Sequence, residues 1–483
     1  MRKRNLFILI VSAIVSCNIF TSCNNSFLDE APKNELSDVS FWKTEDDVYK
    51  YTVGLYRYTL APENHIIMTD CYTDNAVPVH VTAAQGELSS GTATSTNAYF
   101  QQVWKQAFQG IRRCNVFFEN IDNVAIDQDT KDLYKGEVYF LRGFFYATLL
   151  RLYGGVPILE TTLSLSDPIP ARNSVEEVYE FIIDDLEKAE SLLPEKQKEV
   201  GRATKGAAIA EQAIISNFLN KYEEAATYAK EVISLDIYDL YPNYGNLFLP
   251  DYENNEEVIF DRQYMENAKD KSLGSDIDQY FAPQMMGGWE AISPTKDLID
   301  TYECIDGKPI SESDLYNEDT PFENRDPRLK YSILYDGSVI AGKVFSSEGR
   351  VGDGNSTRTG YSIRKYINPA NDGMNYPGWT NFIYIRYAEI LLVYAEALNE
   401  ISGPSDEVYW AVNKVRSRVN MPALPENLSK DVMREAIRKE KRVELTFEGV
   451  YFYDIRHWRT AEAALEKPVY GKKINGEYLW VEI

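Results

Sequence analysis

Asn220-Lys-Tyr-Glu-Glu-Ala-Ala-Thr-Tyr-Ala-Lys-Glu-Val-Ile-Ser-Leu235 is the stretch on which the fold turns. Its apolar positions recur with helical spacing. Ala225 and Ala229 lie four residues apart on one face, small enough to let a second helix approach closely. Tyr222 and Tyr228 fill the space beside that approach. With Thr204 opening a preceding apolar segment, residues 204–235 read as a helical hairpin.

This pattern resembles the second helix of a tetratricopeptide repeat. Working outward, Tyr384 to Ile401 and Asp406 to Val419 form another hairpin, joined by Gly403-Pro404. Thr44 to Leu60 begins with an acidic first turn that complements the helix dipole. Asn97 to Asn120 carries apolar residues at helical spacing, and Lys131 to Tyr153 stops at Gly154-Gly155 and Pro157. Ser174-Val-Glu-Glu177 is a capping box that opens a helix to about Leu193. Trp104 and Trp410 fall on helical faces and are expected in the core. Such hairpins cannot bury their apolar faces alone, so they must stack. The predicted class is mainly α: a tetratricopeptide-like helical hairpin scaffold with long irregular insertions and a few short strands. The largest insertion, residues 241–382, is rich in Gly, Asn, Asp and aromatics and contains the strand-like run Val258-Ile-Phe260. Long irregular segments on a rigid scaffold are where binding commonly resides.

The N-terminus carries an address. Arg2, Lys3 and Arg4 precede an apolar stretch from Leu6 to Val15, the layout of a signal peptide. Thr21 and Ser22 are small residues directly before Cys23, the pattern of a bacterial lipobox, with Phe20 in place of the usual Leu. Residues 1–22 are therefore expected to be removed and Cys23 lipidated, tethering a soluble chain to a membrane. An ordinary leader with an incidental Cys is the alternative. Lys and Arg number 50 against 74 Asp and Glu, a formal charge of −24. That field repels a phosphate backbone, and no basic stripe relieves it, which excludes a nucleic-acid partner. Three His residues leave few options for a His-based metal site or triad, whereas 34 Tyr residues suit neutral, hydroxyl-rich ligands.

Several motifs follow one another in a telling order. They are Glu137-Val-Tyr-Phe-Leu-Arg-Gly-Phe-Phe-Tyr146, Leu152-Tyr-Gly-Gly-Val-Pro157, Gly201-Arg-Ala-Thr204, Asn324-Arg-Asp-Pro-Arg-Leu329 and Ile385-Arg-Tyr-Ala-Glu-Ile-Leu-Leu-Val-Tyr-Ala-Glu-Ala397. Most specific is Arg438-Lys-Glu-Lys-Arg-Val-Glu-Leu-Thr-Phe-Glu-Gly449 with Phe452-Tyr-Asp-Ile-Arg-His-Trp458. Together with Cys23-Asn-Asn-Ser-Phe-Leu-Asp29 and Pro32, these resemble the RagB/SusD family of outer-membrane nutrient-binding lipoproteins of Bacteroidetes. The resemblance implies a single domain over 23–483: an N-terminal helical half (23–240), an irregular ligand-facing insertion (241–382) and a C-terminal helical part (383–483). It further implies capture of an oligosaccharide at the cell exterior and delivery to a SusC-like TonB-dependent transporter. Family members often continue past Trp480-Val-Glu-Ile483, so a shorter final segment is expected.

Glu440, Glu444 and Glu448 are spaced like catalytic carboxylates but are interleaved with Arg438, Lys439, Lys441 and Arg442, which predicts a structural ion-pair network. His457 is expected to be packed or paired. His65, His80, Asp70, Cys71 and Asp74 match no zinc spacing, and the acidic loop Asp306 to Asp319 suits Ca²⁺ only loosely because it lacks the EF-hand pattern. No cofactor is expected. Sugar binding needs flat rings against C–H faces plus polar partners for hydroxyls. Three loops supply that mixture: Asp70, Tyr72 and Asn75 in the first, Tyr280 and Trp289 beside Gly287-Gly288 in the second, and Asn375, Tyr376 and Trp379 in the third. The reading is a non-catalytic binding lipoprotein. A peptide or other nutrient in place of the glycan, and a glycoside hydrolase, are the alternatives.

Overall fold

The computed structural model describes residues 41–481, apart from 81, 165, 267, 270–272, 352–355 and 374–376. The leader, Cys23, Asn375 and Tyr376 lie outside the described residues. The chain is mainly α. Among the described residues, nine longer helices carry it: α1 (Glu45–Leu55), α2 (Ala98–Ile121), α3 (Gln128–Tyr153), α4 (Val175–Leu192), α5 (Lys205–Phe218), α6 (Tyr222–Ser234), α7 (Tyr387–Ser402), α8 (Asp406–Arg418) and α9 (Lys430–Glu444).

Local chemistry sets their ends. Thr44 with Asp47 and Ser174 with Glu177 form reciprocal capping boxes on α1 and α4, each satisfying two backbone donors. Gly154, at φ +68°, stops α3 where a side chain would be strained. The helices stack in chain order from α2 to α6, and α6 packs onto α7, which in turn packs against α8 and α9. Close crossings rest on small residues. A Cβ added at Gly110 would lie 2.5 Å from the Phe145 ring, and Ala225 and Ala229 are buried under α6. Trp104 packs beside Phe108 and Tyr153. Trp410 departs from expectation and is 42% exposed. Val408, Val412 and Val415 take the inner face of α8, which leaves the indole outside beneath Lys414.

The insertion builds a second apolar core around Ile67, Phe281, Phe345 and Phe447. Tyr153 and Tyr384 touch both this core and the helical one. Short strands tie the insertion to the scaffold. β1 (Ala76–Pro78) pairs antiparallel with β3 (Ile292–Pro294), and β2 (Val258–Arg262) pairs antiparallel with β4 (Phe382–Arg386). Residues 384–386, expected in a helix, are strand instead. Phe382-Ile-Tyr-Ile385 is an apolar, β-prone run that finds β2 as a partner, and the helix starts only at Tyr387. The hairpin β5 (Val469–Ile474) and β6 (Glu477–Val481) lies against the short helix Lys296–Thr301. Cys71, Cys114 and Cys304 are buried free thiols.

Candidate functional site

Ala282 and Pro283 follow the short helix Ile277–Phe281, and the chain reverses through Gly287 and Gly288. Gly287 sits at φ +95°, and a Cβ on Gly288 would lie 2.2 Å from the Ala282 carbonyl oxygen. Both glycines are therefore required by the turn. Beyond it, Trp289 N–H donates to the Gln279 carbonyl and Ala291 N–H to the Tyr280 carbonyl, each at 2.8 Å. That pairing brings the Trp289 indole onto the Tyr280 ring, with centroids 4.9 Å apart. Trp289 remains 47% exposed.

The platform is held from below and edged by polar groups. Asp278 is buried and accepts from Asn368 N–H (2.9 Å) and Asn371 Nδ2 (2.8 Å), which ties residues 368–371 to this helix within the insertion. Burial pushes its carboxyl up to about 6. Glu290 is buried and accepts from Arg350 Nη2 at 2.6 Å. His80 Nε2 donates to the Trp289 carbonyl at 2.8 Å. Lys343 Nζ reaches the Met285 carbonyl (3.0 Å) and Asp372 (2.7 Å). Lys343, Arg350 and His80 give no local sequence signal for this role, because they arrive from distant segments.

Not every expected residue joins this platform. Trp379 is half-buried, on a segment that Gly378 pins to Ser275 through two 2.8 Å hydrogen bonds, beside the start of the Tyr280 helix. Asp70, Tyr72 and Asn75 are buried, contrary to their reading as an exposed loop. Asn75 donates to Asp70 (2.6 Å) and accepts from Arg442 Nε (2.7 Å). Tyr72 packs edge-on against Tyr99 and Phe452. Asn75 faces inward between Asp70 and Arg442, and the Tyr72 ring fills the second core between Tyr99 and Phe452. Among the described residues no group of three or more His, Cys, Asp or Glu is placed to hold a metal ion. His65 is buried against Tyr99, away from its proposed partner His80 at the platform edge. In the acidic loop Asp306 is occupied by Lys308 N–H and the Ser313 hydroxyl.

Residues 256–480 match the SusD family model, and residues 26–216 match a model described as starch-binding associating with outer membrane. A solved SusD-like protein of Bacteroides fragilis is 32% identical, covers 92% of each chain and superposes with a TM-score of 0.82. The chain belongs to the SusD family. A second B. fragilis structure, titled a SusD-like carbohydrate binding protein, is 28% identical over 91% of each chain, with a TM-score of 0.84. A SusD-like protein of Formosa agariphila is 27% identical over 93% of this chain and 89% of its own length.

In this SusD-family member the strongest sequence motifs form scaffold. Glu444 accepts from Arg328 (3.0 Å), Arg386 (2.6 Å) and Arg418, and lies buried. Glu448 pairs with Arg386 (2.6 Å) and Lys365 (2.5 Å), and Glu440 with Arg328 and Arg416. The network joins α9 to β4, α8 and the insertion. His457 is packed as expected, with Nδ1 2.9 Å from the Phe218 carbonyl. Nearby, Glu389 lines an internal cavity of about 90 Å³ and makes no hydrogen bond or ion pair within the described protein. Burial pushes its carboxyl up to about 8 against the opposing pull of Lys441. A carboxyl whose folded pKa lies above its unfolded value holds its proton more tightly when folded. Stability is therefore full below about pH 4.5 and falls as pH rises through about 8. Glu389→Gln should raise the melting temperature at pH 8.5 and leave it nearly unchanged at pH 5. Thermal scans at the two pH values check this, and an equal shift at both would contradict it.

Proposed function

We propose that this chain is a non-catalytic, cell-surface glycan-binding lipoprotein, anchored in the outer membrane through Cys23. It passes its ligand to a SusC-like TonB-dependent transporter. The observation that carries the reading is the exposed Trp289 indole, backed by Tyr280 on a Gly-Gly turn and edged by hydrogen-bonding side chains. A pyranose can lay its C–H face on the indole while its hydroxyls meet the polar rim. The names of its relatives support a carbohydrate ligand and an outer-membrane setting. No described helix is long and apolar enough to cross a membrane, which fits attachment through lipid.

Glycosidic hydrolysis needs two carboxyl groups flanking the bond. Beside the platform, Asp278 is spent on two amide donors and Glu290 on Arg350. A glycan array probed with residues 24–483, with peptide and nucleic-acid controls, tests the reading. Saturable binding to a defined oligosaccharide without product release is expected. Binding confined to peptides, or release of shorter sugars, would replace it with one of the two alternatives.

A further inference from the structure

A second pocket, of about 190 Å³, opens where the β5–β6 hairpin meets the helix Lys296–Thr301. Its walls include the rings of Tyr316, Phe322, Tyr361 and Tyr478. Tyr361 is only 7% exposed, yet its hydroxyl makes no hydrogen bond within the described protein, and the Tyr316 hydroxyl makes none either. Each hydroxyl therefore keeps donor and acceptor capacity at the pocket that the chain itself does not use.

The charges point the same way. Each lysine lining the pocket has a carboxylate: Lys296 has Asp300, Lys472 has Asp336 and Lys473 has Glu318. Arg325 has none among the described residues, although it is only 5% exposed. Its guanidinium donates to the carbonyls of Pro321 (2.7 Å), Ile299 (2.6 Å) and Tyr302 (2.8 Å), and Nε is left without a partner. Carbonyls at a helix end offset part of the cost of burying this cation, but they bring no net counter-charge. In a chain of charge −24, a buried cation lacking a carboxylate beside ligand-sized space is a specific signal.

We propose that this pocket is a second saccharide site, selective for a sugar that carries a carboxylate, such as a uronate residue. Tyr478, whose ring already holds Lys296 and Lys473, and Tyr316, whose ring holds Arg325, give the pyranose a wall to pack against; the Tyr361 hydroxyl meets a sugar hydroxyl, and Arg325 supplies the charge that a carboxylate answers. The inference rests on the glycan-binding reading only for the ligand being a saccharide, because the pocket shares no lining residue with the Trp289 platform.

Isothermal titration of the full chain tests it, using a glucuronate-terminated disaccharide and its neutral glucose-terminated counterpart. The uronide should bind, and the neutral sugar should bind this pocket at least about tenfold more weakly. Tyr478→Ala and Tyr361→Phe should each weaken the uronide roughly 5- to 10-fold, whereas Trp289→Ala should leave it unchanged. Tyr361→Phe keeps the ring, so it decides the matter if Tyr478→Ala misfolds. Equal affinity for both sugars, or no saturable uronide binding at millimolar concentration, would overturn the proposal while leaving the platform reading intact. Loss of uronide binding in Trp289→Ala alone would assign the acidic sugar to the platform instead. Failure of the chain to bind any saccharide would overturn both.

Discussion

Glu444→Gln is expected to destabilise the protein by roughly 3–5 kcal/mol, the usual cost of breaking a buried ion pair from one side. The substitution preserves shape and removes one charge. Arg328, Arg386 and Arg418 would then be left in the interior around a neutral amide, and the two fully buried ones, Arg328 and Arg386, have few ways to reach water. These arginines hold the Glu444 carboxyl well below the usual carboxylate range. A depressed pKa means that its contribution is present above about pH 4.5 and is lost only as pH falls below that, through the folded value. Urea unfolding at pH 7 measures the effect. Glu435→Gln is the matched control, since Glu435 lies on the same helix, exposed, and among the described residues pairs only with Arg438. That pair should be worth no more than about 0.5 kcal/mol. Equal losses for the two variants would show that the network does not hold α9 to the rest of the molecule.

The spacing of Glu440, Glu444 and Glu448 made an ion-pair role legible in sequence, but not the identity of the partners. Interleaved Lys439 and Arg438 looked like the natural candidates. The strongest bonds instead come from Arg328, Arg386 and Arg418, which other elements deliver. Helix starts were legible because caps are local: Thr44, Ser174 and Thr204 each bond the first turn that they precede. Tyr384 was misplaced because a short apolar run suits strand and helix alike until its partner is known. The binding platform was half legible. Gly287-Gly288 marks a tight turn and so exposes Trp289, and Tyr280 lies close by in sequence. Asp70, Tyr72 and Asn75 have the composition of a ligand loop, yet Asn75 turns inward to Asp70 and to Arg442, some 367 positions away, and Tyr72 packs between Tyr99 and Phe452. No local pattern reveals such a contact.

Trp289→Ala should weaken binding of the cognate neutral glycan by roughly 30-fold, about 2 kcal/mol, as expected for a central aromatic anchor. The loss arises from the missing stacking surface and from water that then reaches the neighbouring hydrogen bonds. Folding should be little affected, because the indole is half exposed and the turn is held by backbone hydrogen bonds. Trp410→Ala is the control. Its exposure, 42%, is close to the 47% of Trp289, but it sits on a helix beneath Lys414, with no ring partner among the described residues. Affinity electrophoresis should show reduced retention for Trp289→Ala and unchanged retention for Trp410→Ala. Equal retention of both variants and the parent would remove Trp289 from the site.

The most direct measurement is a crystal structure of the chain with the oligosaccharide that the array identifies. The account predicts an intact glycan with one pyranose face on the Trp289 indole, roughly 4 Å from the ring plane. Its hydroxyls should be within hydrogen-bond distance of the rim around Tyr280, Lys343 and Arg350. A glycan bound elsewhere with the indole bare, or one cleaved in the crystal, would contradict it.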